Sequence, residues 1–457
     1  MRKISAHYIF PIAQAPLRNA VITLADDGTI TDISTDQPNV QEMEGVEFYN
    51  GIVAPAFVNA HCHLELSYMR GKIEQGIGVS EFVQNVAYQR RQARAKRVVH
   101  AAEFADALLY ESGIAAVGDI ANDDSCFEVK KNSSVFYHTF IEKFGLLPRG
   151  ADLALQQTNL VLQGGAHVGA GGAHVGAPVR DLPREGGADV GAGGAHVGAP
   201  VQDLPREGGA HVGALVRGLV RGIRELVRAA EGFNIRASVT PHAPYSVSPQ
   251  VLQGLMSLVN PQDMVSIHHL ESFAEQQLFE TGWGALASLF LAMGLTLPPA
   301  NGEHSLRYLS QYIARDVQLL LIHNLYITQR HYDFAASHWD NLFWVLCPCS
   351  NWYIERALPP VEMLRKNGAV IALGTDSWAS HPSLLLQDDL IVLHHKFPHI
   401  PLHELLTWAT LNGAKALKIN HLYGSLEPGK APGLVWIQGA DLSSLRLTTA
   451  TTVRRLL

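Results

Sequence analysis

Cysteine is scarce in this chain, with four residues among 457. So few cysteines cannot form the dense disulfide framework of a small secreted domain, and a reducing compartment suits them. No run of 18 apolar residues is present, and His7 and Pro11 interrupt the apolar stretch near the start, so we predict neither a membrane span nor a signal peptide. We expect a cytoplasmic protein with no membrane partner.

Charge is also low and has little bias toward one sign. Charged residues make up 17% of the chain, and 35 basic against 42 acidic residues give a net charge of -7. No run of Lys and Arg is long enough to hold a nucleic-acid backbone. Because 47% of the residues are hydrophobic, we expect a globular protein with a large core. The expected partner is a small-molecule substrate and not nucleic acid, and a homo-oligomer is left open.

Eight short apolar runs are predicted as buried strands, and amphipathic helical stretches separate most of them. The runs are 52–63, 114–120, 134–142, 235–242, 264–269, 317–323, 341–347 and 369–375. Strands that alternate with helices are typical of the α/β class, and eight of them predict a parallel (β/α)8 barrel of the TIM type.

The two ends of the chain combine short apolar pieces with turn residues. VITLADDGTITDIS near the start contains an Asp-Asp-Gly turn, and GSLEPGKAPGLVWIQGADL at 424–442 places Gly and Pro around one apolar run. We predict that residues 1–53 and 420–457 form one small β-sandwich and that residues 54–419 form the barrel.

A repeat interrupts the predicted barrel. GGAHVGAPVRDLPRE at 171–185 returns as GGAHVGAPVQDLPRE at 193–207. A solenoid is one interpretation, but Gly-Gly and Pro supply little to pack, so we predict a flexible surface insertion at 164–214. Its histidines could form a metal-binding tract, although duplication alone explains them; they are His167, His174, His196 and His211.

Metal-ligand residue types stand at the ends of several predicted strands. His61 and His63 end the first one, and residues two apart on a strand face the same side. Barrel enzymes place their catalytic groups at these strand ends. Each such residue alone could be a core histidine or a helix-capping aspartate, but together they predict a metal site. The later strands end in His242, His268, His323 and Asp376.

A catalytic divalent ion needs nitrogen and oxygen ligands and one open position for water. His61, His63, His268 and Asp376 supply such a set for one ion, Zn²⁺ first and Fe²⁺ as the alternative. Glu271, three residues after His268, is predicted to carry a proton between the water and a leaving group. We predict that His323 holds the attacking water or the charge that develops on the substrate.

Four ordered motifs resemble those of the amidohydrolase superfamily. They are AFVNAHCHLELS (56–67), PHAPYS (241–246), HHLES (268–272) and GTDSWAS (374–380). Their order is most similar to the aminohydrolase branch with S-adenosylhomocysteine, aminofutalosine and guanine deaminases and the triazine chlorohydrolases. The likeness spans most of the chain, and only the repeat at 164–214 has no counterpart.

The resemblance implies a role for each of these strand-end residues. It implies the same four metal ligands, with Asp376 also taking part in catalysis, Glu271 as the proton shuttle and His323 beside the hydrolytic water. His242 and Ser377 are the implied substrate contacts. The fourth strand lacks the lysine that binuclear members carboxylate, which favours one metal.

One loop departs from the family pattern. CPCSNWYIE (347–355) has Cys349 where a polar or basic residue often stands, which leaves the substrate contacts of this loop open. Cys347 and Cys349 as metal ligands are a further alternative.

The predicted function is hydrolysis of a C–N bond other than a peptide bond, as in the deamination of an amino-substituted N-heterocycle such as an aminopurine nucleoside. Chlorohydrolase or other amidohydrolase chemistry at the same site is the alternative, because only the leaving group differs. A non-catalytic scaffold or binding protein of the same fold is the alternative from another class. The intact set of predicted ligands argues against it.

Overall fold

The structure is a computed structural model that describes residues 1–145, 218, 221–230, 235–295, 297–298, 300 and 302–457. The repeat predicted as an insertion at 164–214 lies outside these described residues. Within them, the strands form one six-stranded and two four-stranded sheets.

The first four strands belong to the six-stranded sheet. They are β1 (Arg2–Ile9), β2 (Val21–Leu24), β3 (Ile30–Ser34) and β4 (Glu47–Pro55). The next eight strands form the two four-stranded sheets, and each neighbouring pair is parallel. The first of these sheets contains β5 (Phe57–Cys62), β6 (Ile114–Ala121), β7 (Phe136–Lys143) and β8 (Ile235–Pro241). The second contains β9 (Met264–His269), β10 (Gln318–His323), β11 (Asn341–Leu346) and β12 (Ile371–Leu373).

These eight strands occur where the apolar runs predicted them, with one exception at the start. The run 52–63 is not one strand, because residues 52–55 complete β4 and a new strand begins at Phe57. Both pieces are fully buried, so their hydrophobicity gives no sign that the chain passes from one sheet to another.

Both ends of the chain share a single sheet. β13 (Leu434–Gln438) and β14 (Thr452–Arg455) extend the six-stranded sheet, in the order β14-β13-β4-β1-β2-β3. The predicted association of the two ends is therefore present, but the predicted β-sandwich is not confirmed. The exact division into 1–53 plus 420–457 and 54–419 stays a prediction.

Hydrogen bonds connect the two four-stranded sheets at both edges. At one edge the His268 N–H donates to the His242 carbonyl at 2.9 Å. At the other, the Asp376 N–H donates to the His61 carbonyl at 3.0 Å. The carboxyl ends of strands from both sheets therefore lie close together, and four predicted site residues take part in these contacts.

Helices connect the strands, and several have clear sequence signals at their first residues. Ser248 caps one helix by accepting from the Val251 N–H, with Pro249 at the first helical position, and Ser272 caps another by accepting from Glu275. None of the helices in the described part of the chain is long and apolar enough to cross a bilayer. The α-helices are Val79–Arg91, Ala95–Glu111, Phe127–Lys131, 221–230, Pro249–Met256, Phe273–Thr281, Ala285–Ala292, Ser305–Leu309, Gln329–His338, Pro348–Glu355, Val361–Lys366, Leu386–Lys396, Leu402–Thr407 and Gly413–Ala416.

A buried ion pair supports the segment that carries the first two histidines. The Lys130 ammonium contacts the Asp119 carboxylate, and both side chains are almost completely buried. The other Asp119 oxygen accepts from the Leu64 N–H at 2.7 Å, directly after His63. Breaking such a pair leaves a buried charge without compensation.

Replacing Lys130 should therefore destabilise the fold. We expect Lys130→Ala to lower the free energy of unfolding by about 3–5 kcal/mol, as measured by urea denaturation. Lys131→Ala is the matched control, because its ion pair with Glu128 lies at the surface and is worth less than about 1 kcal/mol. Equal effects of the two substitutions would contradict a structural role for the buried pair.

Candidate metal centre and active site

Four predicted ligands converge at the strand ends. The Nε2 atom of His63 lies 3.2 Å from that of His61 and 3.3 Å from that of His268. The Asp376 Oδ1 atom lies 3.6 Å from His61 Nε2 and 3.3 Å from His63 Nε2. All four residues are buried, so one small group of polar atoms is held away from water.

Local backbone geometry brings these side chains into place. His61 is in the buried strand β5, and His63 is the residue before the short 3₁₀ helix Leu64–Met69. His323 at the end of β10 and Asp376 after β12 both have left-handed backbone conformations, with φ of 70° and 58°. Such conformations are uncommon outside glycine and cluster at functional sites. They turn the chain sharply where each strand ends.

The hydrogen bond of His268 determines which of its ring nitrogens carries the proton. Its Nδ1 atom lies 2.9 Å from the His242 carbonyl oxygen. A carbonyl oxygen only accepts, so Nδ1 carries the hydrogen and the lone pair is on Nε2. That lone pair belongs to the nitrogen that lies beside His63. This is the arrangement in which a backbone carbonyl orients a metal-binding imidazole.

The converging atoms fit a divalent metal ion. Nitrogen ligands at about 2.0–2.1 Å from a tetrahedral zinc ion stand about 3.3 Å apart, close to the separations among these donors. Burial lowers the pKa of His63 to about 4 and the pKa of His268 well below its usual value. Both imidazoles are therefore neutral at pH 7, which is the form that binds metals.

The Asp376 carboxylate is oriented by two serine hydroxyls. Ser350 Oγ and Ser380 Oγ each donate to Asp376 Oδ2 at 2.6 Å, while Oδ1 faces the histidines. Burial raises the pKa of this carboxyl, but the nearby imidazoles of His61, His63 and His323 outweigh burial and hold the pKa well below its usual range. Asp376 is therefore a charged oxygen ligand with one oxygen already engaged.

Removing these hydroxyls should weaken metal binding without removing a ligand. We expect Ser350→Ala and Ser380→Ala each to raise the dissociation constant for Zn²⁺ by about 10- to 100-fold. Replacing a residue that hydrogen-bonds to a metal ligand commonly weakens metal binding by a factor of that size. Competition with a chelator of known affinity measures the constant. Ser257→Ala is the control, since its hydroxyl donates to the Gly254 carbonyl and not to a proposed metal ligand. Unchanged affinity in both variants would contradict the orienting role.

Glu271 and His323 form a second pair beside the four ligands. Glu271 Oε1 lies 3.6 Å from His323 Nε2, and His323 also shares a cluster with His61 and Asp376. Burial raises the pKa of Glu271 well above its usual value, and the charge of Asp376 adds to the shift. A carboxyl with a raised pKa can hold a proton near neutral pH and donate it.

The remaining predicted residues have different surroundings. His242 lies in a cluster with His268 and Glu142. Ser377 is buried, and its hydroxyl lies 3.0 Å from Ser380 Oγ, so its substrate contact stays a prediction. Cys349 shares a cluster with His381 and Asp389 and not with the four ligands, and Cys347 is in none of the ligand clusters of the described residues.

Sequence reasoning missed several residues of the site. Glu142 is the penultimate residue of β7, and this position near a strand end could have identified it as it identified the histidines. Ser350, Ser380 and Asn351 gave no such signal. Asn351 Nδ2 lies 3.4 Å from His323 Nδ1, a contact between residues 28 positions apart.

The chain is similar over most of its length to one family of known proteins. The sequence model of the amidohydrolase family matches residues 52–453. An adenosine deaminase from Helicobacter pylori is 28% identical over 210 residues, which cover 45% of this chain and 50% of that protein. The chain thus spans about half the length of the curated relatives it matches.

Solved structures share the fold over nearly the whole chain. Aminofutalosine deaminase from Helicobacter pylori, in complex with methylthio-coformycin, has a TM-score of 0.70 and 20% identity, covering 98% of this chain and 94% of that one. Atrazine chlorohydrolase from Arthrobacter aurescens, complexed with zinc, has a TM-score of 0.64 and 16% identity, covering 97% and 90%. At these identities the likeness shows the fold alone.

Proposed function

The chain belongs to the amidohydrolase family, and from this premise we propose that it is a metal-dependent aminohydrolase. In the proposed reaction, water replaces the amino group on a ring carbon of an N-heterocycle, and ammonia is released. An aminopurine nucleoside is the substrate class that the deaminases among its relatives support. The observation that carries the proposal is the convergence of three Nε2 atoms and Asp376 Oδ1, with Glu271 and His323 beside them.

We also propose that the two four-stranded sheets close into a single (β/α)8 barrel. The hydrogen bonds at both edges of the two four-stranded sheets support closure, as does the fold of the aminofutalosine deaminase. In such a barrel, catalytic groups lie at the carboxyl ends of the strands. The four buried cysteines, all free thiols, support the expected cytoplasmic location.

We assign one divalent ion, Zn²⁺ first, to His61, His63, His268 and Asp376. The zinc in the related chlorohydrolase structure supports the identity of the metal. The absence of lysine from β8, whose sequence is IRASVTP, supports a single ion. When bound, such an ion lowers the pKa of a coordinated water to about 7 and supplies a nucleophile near neutral pH.

The residues of the chain then move protons and hold the substrate. Asp376 accepts the proton that the attacking water loses. Glu271 donates its proton to the ring nitrogen. It then takes the proton of the added hydroxyl and passes it to the departing amino group, which leaves as ammonia, and the proton held by Asp376 restores Glu271. His323, 3.6 Å from Glu271, steadies the oxygen that becomes the carbonyl. His242 and Ser377 are the proposed substrate contacts.

A panel of substrates tests this function directly. Zinc-loaded protein is incubated with aminopurine nucleosides, guanine, aminofutalosine, pterins and chloro-triazines, and released ammonia and chloride are measured. We expect one ammonia for each oxo product from an aminopurine nucleoside. Chloride from a triazine and no ammonia would favour the chlorohydrolase alternative, which the related fold motivates. Neither product from fully metal-loaded protein would contradict both activities.

A further inference from the structure

Trp378 lies in the turn that carries Asp376, two positions after it, and is 3% exposed. The guanidinium carbon of Arg70 lies over the indole ring, 4.4 Å from its centre. The ring of Phe104 lies nearly parallel to the indole, at an interplanar angle of 9° and a centroid distance of 5.8 Å. One tryptophan therefore makes both a cation–π contact and an aromatic stack.

These contacts join three separate segments of the chain. Arg70 directly follows the short 3₁₀ helix that begins after His63. Phe104 belongs to the helix that precedes β6, and Trp378 belongs to the turn after β12. The stack of Arg70, Trp378 and Phe104 therefore connects the segment of one proposed metal ligand, His63, to the segment of another, Asp376.

The Asp376 turn has a backbone conformation that needs support from its surroundings. Asp376 has a φ of 58°, and a non-glycine residue keeps such a left-handed conformation only where contacts hold it. On one side, Asn59 Oδ1 accepts from the Thr375 N–H at 3.1 Å, and Asn59 Nδ2 donates to Thr375 Oγ1 at 2.8 Å. On the other side, the Trp378 ring attaches the turn to the stack.

We infer that Trp378 is a positioning residue of the metal centre, and that the stack holds the Asp376 turn in the conformation that binds the ion. This inference rests on the proposed function and adds a residue to it. When the turn relaxes, Asp376 Oδ1 leaves its position 3.3 Å from His63 Nε2. The apparent affinity for metal then falls in proportion to the fraction of protein that keeps the competent turn.

The stack depends on the face of the indole ring and not only on its volume. A guanidinium is attracted to the negative face of an aromatic ring, and two rings prefer an offset arrangement. Phenylalanine in place of Trp378 keeps a ring face, whereas leucine keeps an apolar volume without one. Arg70 is exposed and Phe104 is 56% exposed, so replacing either of them leaves the buried core intact.

Zinc affinity measures the positioning apart from turnover. Dissociation constants for Zn²⁺ are measured by competition with a chelator in the wild type and in Trp378→Ala, Trp378→Leu and Trp378→Phe. We expect alanine and leucine to raise the constant by about 10- to 100-fold, the range common for residues that orient metal ligands. Phenylalanine should keep it within about three-fold of the wild type, because both ring contacts survive.

Arg70→Ala and Phe104→Ala provide a second test if Trp378→Ala folds poorly. Each removes one partner of the indole and should raise the zinc dissociation constant by about 3- to 10-fold. Arg18→Ala is the matched control for the cation–π contact, since Arg18 is exposed and lies 4.6 Å over the Tyr8 ring in the six-stranded sheet. This control should leave the zinc affinity unchanged.

A spectroscopic measurement separates positioning from stability. Cobalt(II) is bound in place of zinc, and its visible absorption reports the geometry of the ligands. We expect Trp378→Ala to change this spectrum and Trp378→Phe to keep it. Trp339→Ala is the control, because Trp339 is 2% exposed and precedes β11, at the opposite end of the strands. It should lower the free energy of unfolding and leave the spectrum and the zinc affinity unchanged.

Other results would overturn the inference. An unchanged zinc affinity and cobalt spectrum in Trp378→Ala, with a lower free energy of unfolding, would mean that the ring only packs. Equal weakening by Trp378→Phe and Trp378→Ala would contradict a role for the ring face. A loss of zinc affinity of the same size in Trp339→Ala would assign the effect to general destabilisation.

The positioning role and the proposed function can fail separately. Zinc binding that does not depend on the stack, in a protein that releases ammonia, would overturn the positioning role and keep the deaminase. Zinc binding that depends on the stack, with no ammonia from any substrate, would support the positioning role and contradict the proposed reaction.

Discussion

Glu271→Ala should retain bound zinc and lose turnover by about 10²- to 10⁴-fold, the usual contribution of a general acid or base. Glu271 lies 3.6 Å from His323 and is not one of the four converging ligands. Its burial and the charge of Asp376 raise the pKa of its carboxyl, so a proton is available for the ring nitrogen. Alanine removes that proton and leaves the three imidazoles and Asp376 in place. The measurement is kcat on the best substrate of the panel, with zinc content determined on the same sample.

Glu280→Ala is the matched control for this substitution. Glu280 is an exposed glutamate on the following helix, Phe273–Thr281, and its replacement should leave kcat within about two-fold, as is usual for surface changes. A Glu271→Ala protein with more than a tenth of the wild-type kcat would contradict the proton-shuttle assignment. Loss of zinc in this variant would instead make Glu271 part of the metal centre.

Asp376→Asn should lose both the metal and the activity. The substitution keeps the shape of the side chain and removes its charge, so the oxygen that faces His61 and His63 becomes a weaker ligand. Ser350 and Ser380 both donate to one oxygen of Asp376. If the amide nitrogen of asparagine takes the place of that oxygen, it cannot accept a hydrogen bond from either hydroxyl. Zinc measured by mass spectrometry should fall from about one equivalent to near zero, because affinity depends on a complete set of deprotonated ligands.

The contrast between the two variants is the informative result. Glu271→Ala separates turnover from metal binding, and Asp376→Asn abolishes both. Asp389→Asn is a control for the second substitution, because Asp389 is a buried aspartate that bonds His381 and the Cys349 N–H outside the four-ligand cluster. Near-stoichiometric zinc in the Asp376→Asn protein would contradict the assigned ligand set.

Much of the site was predictable from sequence because barrel enzymes place their catalytic groups at the carboxyl ends of the strands. His61, His63, His268 and Asp376 were selected because each ends or follows an apolar run, and parallel strands bring such ends to one edge. The structure places the four together as expected. The family resemblance is confirmed, while the individual catalytic roles stay predictions.

Other features could not be predicted, because they depend on contacts between distant segments. Ser350 bonds Asp376 across 26 positions, and Asn59 bonds Thr375 across 316. No local periodicity encodes such pairings. The break between β4 and β5 was hidden for a different reason, since both sides of Ala56 are equally apolar. The single sheet formed by the two ends likewise depends on the pairing of β4 with β13.

The sequence alone predicted a globular protein without a disulfide framework or a membrane span. This prediction came from the scarcity of cysteine, the modest charge and the absence of long apolar runs. The alternation of apolar runs and the ligand-type residues at their ends predicted the strand pattern and the residues that converge at the strand ends, because both follow from local periodicity. Only the tertiary structure decided how Asp376 is oriented and which nitrogen of His268 faces the cluster. Those features depend on hydrogen bonds between strands whose neighbours are set by the packed fold.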